Sequence, residues 1–127
     1  MINIDKNYPL SEEQVQKFEE QIKFNLPTFF LDFYKKTNGA ILNSNERYID
    51  LWKLTEMIQL NKEYQTEDEF YPGFFLFASD GGGMAYAIQK ETGYIYEIPF
   101  IGGIEYSVFI CKTFTEFIEE FPLTPIC

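Results

Sequence analysis

FASDGGGMAYAI, Phe77 to Ile88, decides how the second half of the chain folds. Three consecutive glycines behind Asp80 either cradle a phosphate or turn one strand back onto the next. A Walker-type loop needs Lys and then Ser or Thr after its last glycine, whereas Met84 and Ala85 follow Gly83. The dinucleotide fingerprint fails too. Counted from Gly81, its third glycine falls on Tyr86, and a strand-like run follows where a helix must offer its N-terminal amides. Gly81, Gly82 and Gly83 are therefore read as a turn in which glycine supplies the positive φ that linked strands demand. The residues leave a second reading open, a loop that binds a partner through exposed backbone and the Asp80 carboxylate.

Around that turn the apolar period is that of strands. FFLFA from Phe74, MAYAIQ from Met84, GYIYEI from Gly93 and YSVFICK from Tyr106 are separated by short turn signals, which predicts an antiparallel meander of four strands. Upstream the period is helical. Ser11 and Gln14 have capping-box spacing, Leu10 and Val15 staple spacing, and Val15, Phe18 and Ile22 form one stripe. In LPTFFLDFYKKTNG, Pro27 suits a first helical position and Asn38-Gly39 a left-handed stop. RYIDLWKL reads as a strand leading into a helix that carries Leu54, Met57, Ile58 and Tyr64 on one side. QTEDEFYPG reads as an acidic surface loop, and TFTEFIEEFP as a last helix with Phe114, Phe117, Ile118 and Phe121 on one face. Helices first, strands next and one helix last predict an α+β fold with helices covering one face of the sheet, in a single domain over residues 1–127.

The totals narrow the function. At 127 residues with 46% hydrophobic and 19% aromatic content, the chain can close one core built largely of rings. No apolar run reaches the roughly 20 residues that span a bilayer, and MINIDKNYPL has no basic segment followed by an apolar stretch, so a cytoplasmic location is expected. A net charge of −10 repels phosphate backbones and anionic membranes, and it favours a basic protein as partner. The absence of histidine removes His-ligated metals and the Ser-His-Asp and Cys-His nucleophile systems. Cys111 lies in an apolar strand and Cys127 at the terminus, which is neither a metal cluster nor a disulfide framework. No metal or cofactor is expected.

Three groups of residues remain as site candidates. Asp80 with Glu97, or with the run Glu67-Asp68-Glu69, offers paired carboxylates, but no motif singles out a pair, and a solvated face is the usual fate of such a cluster. The same run lacks the spacing of a calcium loop. Trp52, the only tryptophan, sits at a strand-to-helix junction, where an indole locks one element onto another. Tyr94 and Tyr96 alternate with Ile95 and Glu97; the pair forms either a binding surface of phenol rings beside carboxylates or a partly covered core face.

The order of these signals resembles the SUKH superfamily: a capped first helix, NLPTFFLDFYKKTNG, the LWKL junction, FFLFASDGGGMAYAI, GYIYEI and a terminal TFTEFI. That superfamily groups the yeast cell-wall assembly regulators with bacterial immunity proteins that neutralise polymorphic toxins. The resemblance covers Leu10 to about Phe121 and implies a mixed, mostly antiparallel sheet with helices on one side. It implies structural roles for Pro27, Asn38, Gly39, Trp52, Gly81, Gly82 and Gly83, and a binding module without an active site. The expected partner is a cognate toxin domain, basic like a nuclease, whose active site the protein masks; the alternative is a regulatory protein-interaction scaffold. Glu67, Asp68, Glu69 and Asp80 are the expected steering charges. Tyr71, Tyr94 and Tyr96 are the expected anchors.

Overall fold

Four helices and seven strands alternate along the chain in the computed structural model, which describes residues 2–22, 24–64 and 71–123. The elements are β1 (Asn3–Lys6), α1 (Glu12–Gln21), α2 (Thr28–Lys36), β2 (Ala40–Asn43), β3 (Tyr48–Leu51), α3 (Leu54–Glu63), β4 (Phe74–Ser79), β5 (Met84–Gln89), β6 (Ile95–Pro99), β7 (Val108–Cys111) and α4 (Phe114–Glu119). All seven strands form one sheet in sequence order, and every pairing is antiparallel. The class is α+β. Strands and helices interleave, however, because β1 and β2 join the sheet from either side of the first two helices, where no strand was expected. Among the described residues no helix is long and apolar enough to cross a membrane.

Local chemistry sets the helix ends. The α1 capping box closes as its sequence requires: the Ser11 side chain accepts from the Gln14 N–H at 3.2 Å, and the Ser11 N–H donates to the Gln14 side chain at 3.0 Å. Leu10 and Val15, at the staple positions, are both buried. Pro27 sits one residue before the first helical turn of α2, as its N-cap. Thr113 accepts from the Glu116 N–H at the start of α4, but the Glu116 carboxylate meets the Thr113 hydroxyl, so only half of a capping box forms.

Directly paired residues of an antiparallel ladder share a face, so the register sorts the sheet into rows. One row runs Phe75, Ile88, Ile95, Cys111 and another Ala78, Tyr86, Glu97, Val108; between them, pointing the other way, runs Leu76, Ala87, Tyr96, Phe109. Phe77 is an extra residue in the ladder between Leu76 and Ala78. Helices cover the first two rows. Phe18 of α1 meets Phe75 at 6.1 Å, Phe30 of α2 meets Phe77 at 5.9 Å, and Phe117 of α4 meets both Phe77 and Tyr86 at 5.2 Å. Most of these ring pairs are edge-to-face or tilted, the arrangement in which one ring's positive edge meets another's negative face. Rings thus join the sheet to α2 and α4 in one connected cluster and to α1 in a second, smaller one around Phe75.

Two polar side chains complete the frame. Asn61 of α3 is 3% exposed; its amide donates to the Leu76 carbonyl at 2.9 Å and accepts from the Leu76 N–H at 2.9 Å. β3 pairs with β4 only at Ala78 and Ser79, so this amide takes the place of a neighbouring strand farther along β4. Buried Thr37 accepts from the Asn7 N–H at 2.8 Å and donates to the Gly39 carbonyl, tying the chain after β1 to the turn after α2.

Candidate functional site at the outer edge of the sheet

The Asp80 turn is structural. The Asp80 carboxylate accepts from the Gly82 N–H at 2.8 Å and the Met84 N–H at 3.2 Å, and Gly81 has φ +80°. A Cβ at Gly81 would lie 3.2 Å from the Tyr48 ring, so this turn is both left-handed and closely covered. Trp52 likewise serves the frame: its N–H donates to the Phe77 carbonyl at 3.0 Å, its carbonyl accepts from the buried Tyr34 hydroxyl at 2.8 Å, and its ring stacks on Tyr64.

The expected anchors separate. Tyr71 is 3% exposed, and its hydroxyl donates to the Phe100 carbonyl at 3.2 Å, so it belongs to the interior and offers no ring to a partner. Tyr94 and Tyr96 are half-buried at the surface. They meet the same ring, Phe109 of β7, at 5.6 and 5.7 Å, and Tyr96 also packs on Phe74 at 5.2 Å. Asp80 stands at the Met84 end of β5 and Tyr94 beyond its Gln89 end, so the two are not neighbours. Glu67, Asp68 and Glu69 lie outside the described residues.

The rows show why Phe109 matters. Along Leu76, Ala87, Tyr96, Phe109 exposure rises from none at the first two residues, through half-burial at Tyr96, to 46% at Phe109. The helix-side row behaves alike, from buried Ala78 and Tyr86, through half-buried Glu97, to 56% at Val108. Both rows end at β7, which among the described residues pairs only with β6. Ile101 and Tyr106, on the connection that enters β7, are also exposed. YSVFICK, expected as the fourth strand of the meander, is the last strand of the sheet among the described residues, with rings on one side. The signal that finds it is topological: the last strand of a meander has no further neighbour.

On the helix side of β7 lies a groove of about 350 Å³ lined by Glu97, Val108, Cys111, Glu116, Glu120 and Arg47. Arg47, the only arginine in the chain, stands 3.9 Å over the Phe121 ring. The groove is nonetheless negative, since three carboxylates face one guanidinium. Burial, with Glu116 and Glu120 adding to it, pushes the Cys111 thiol up to about 12, so it stays protonated and unreactive. Burial and the Glu97 and Asp80 charges likewise raise the Tyr86 phenol, against the opposing pull of Arg47. Such an arrangement attracts positive charge and presents apolar surface, and the Cys111 thiol in it is not activated. Among the described residues no group of three or more acidic or cysteine side chains is placed to hold a metal ion.

The model of the SMI1 / KNR4 family (SUKH-1) matches residues 9–120, a span that takes in all four helices and strands β2 to β7. Comparison with curated proteins finds no match. With its helices, its Asp80 turn and its ringed sheet inside that match, the chain belongs to the SMI1 / KNR4 family (SUKH-1).

Proposed function

We propose that this chain is an immunity protein that binds a toxin domain of basic surface and masks its active site, without chemistry of its own. The observation that carries the reading is the β7 edge, where exposed Val108 and Phe109 stand beside the carboxylates of Glu97, Glu116 and Glu120 in a chain of net charge −10. Rings at the centre of a contact supply much of the binding energy, while surrounding charge selects the partner and speeds encounter roughly 10- to 1000-fold. Glu67, Asp68 and Glu69 remain in the proposal as steering charges. Asp80 contributes its charge but is held by its turn. Family membership favours equally a regulatory scaffold that assembles other cellular proteins.

Co-expression with a toxin domain of basic surface, sought in the reading frames next to its gene, tests the reading. Rescue of growth and recovery of a complex are the expected results. The variant Glu105→Lys/Glu120→Lys, changed at two exposed positions, is expected to associate more slowly and with a flatter salt dependence. Intact protein that neither rescues growth nor forms a complex would leave the scaffold reading in its place.

A further inference from the structure

The two edges of the sheet are not equivalent. β1 carries Asp5 and Lys6 in its four exposed residues, the charged guard that keeps an edge from pairing with another chain. β7 carries no charge between Val108 and Cys111, and its first two side chains are exposed on opposite faces. Phe109 extends the ring surface of Tyr94 and Tyr96, and Val108 borders the negative groove. Between Ile95 and Tyr96 the β6–β7 register shifts so that Ile110 is an extra residue, which confines any regular pairing to the Val108 end.

We infer that β7 is a docking rail for an extended basic segment of the partner, which adds as an eighth strand, lays apolar side chains against Phe109 and places Lys or Arg in the groove of Glu97 and Glu116. The occupant follows from charge. A second copy would bring another −10 and a second set of carboxylates to the same edge, and an acidic strand would meet the same repulsion. A basic strand gains main-chain hydrogen bonds from the edge and specificity from alternate side chains reading its two faces. Another apolar groove, with Phe29 between α2 and α4, is bordered by Asp32 and Glu119 but also by Lys36, and it lies between helices, whose backbone groups are already paired.

The inference locates the contact of the proposed function and rests on that reading only for the partner's identity. The probe is a short synthetic peptide of alternating lysine and valine, titrated into the full chain while backbone amides are followed by NMR. Binding with shifts centred on Val108–Ile110 is expected. Phe109→Lys and Glu97→Gln should each weaken it roughly tenfold, and the glutamate–valine counterpart should not bind. Shifts centred on β1, shifts spread over the surface, or full binding by Phe109→Lys would overturn the inference. So would a free chain that dimerises through β7. Rescue from the toxin undiminished by Phe109→Lys would overturn the rail and leave the immunity reading standing, whereas peptide binding at β7 without rescue would keep the rail and remove the toxin.

Discussion

Gly39 has φ +83°, and a Cβ there would lie 2.6 Å from the Leu51 carbonyl oxygen and 3.0 Å from that of Trp52. Its conformation and its closeness to backbone both require glycine, so Gly39→Ala is expected to cost about 2 kcal/mol or more, seen as a lower midpoint in urea unfolding. The neighbouring Asn38 does more than stop a helix. Its side chain accepts from the Leu54 N–H at 2.7 Å and donates to the Thr55 hydroxyl at 3.2 Å, capping α3, whose own N-cap Lys53 makes no side-chain cap. The sequence pattern Asn-Gly announces the stop, but a cap delivered sixteen residues away is visible only once the chain has folded. A titrating group belongs to this scale as well. Burial first, then the Glu56 charge, raises the Asp50 carboxyl above its ordinary 3.8. The folded state therefore holds that proton more tightly than the unfolded chain. Asp50 adds stability below pH 3.8 and loses that contribution as pH rises through its folded value, leaving a half-buried charge beside that of Glu56 at neutrality. Asp50→Asn is thus expected to unfold at higher temperature than the parent at pH 7, with the gap closing as pH falls towards 4; a gap that widens on acidification would contradict the assignment.

Among the elements, β4 depends on a side chain where a strand is missing. Asn61→Leu keeps the branched shape but strands the Leu76 N–H and carbonyl away from water, and its expected cost is about 2–4 kcal/mol, measured by chemical unfolding. A change below about 0.5 kcal/mol would mean that water or a shifted β3 replaces the amide. The elements legible in the sequence are those with apolar stripes or clear end signals: α1 through Val15 and Phe18, α2 between Pro27 and Asn38-Gly39, β3 and α3 through Ile49, Leu54 and Met57, α4 through Phe114 and Phe117, and the strands from Phe74 on. β1 left no such trace, because all four of its side chains are exposed and its register comes from β2. β2 is four residues directly behind a helix stop, too short for its alternation to stand out. Tyr71 reads as a surface ring because it ends an acidic loop, yet enclosure makes it interior; Phe109, to which the local sequence assigns no role, is exposed because β7 is the last strand of the sheet.

At the scale of the whole molecule, a rigid network of rings carries an acidic surface. Phe30, Phe77, Phe114, Phe117, Tyr86 and Phe121 are linked by ring contacts of 4.8–5.9 Å, which locks α2 and α4 to the centre of the sheet. Farther out, Tyr96 and Phe109 meet at 5.7 Å and hold β7 against β6, the one strand with which it pairs among the described residues. A preformed edge binds with less ordering entropy to lose than a loop does. Calorimetric titration of the intact chain with a candidate toxin domain of basic surface from a reading frame next to its gene, at low and at physiological salt, tests the central claim most directly. The expected result is a one-to-one complex whose affinity falls as salt rises and falls again with Phe109→Lys. A folded chain that forms no complex, or a complex indifferent to both salt and Phe109, would contradict it.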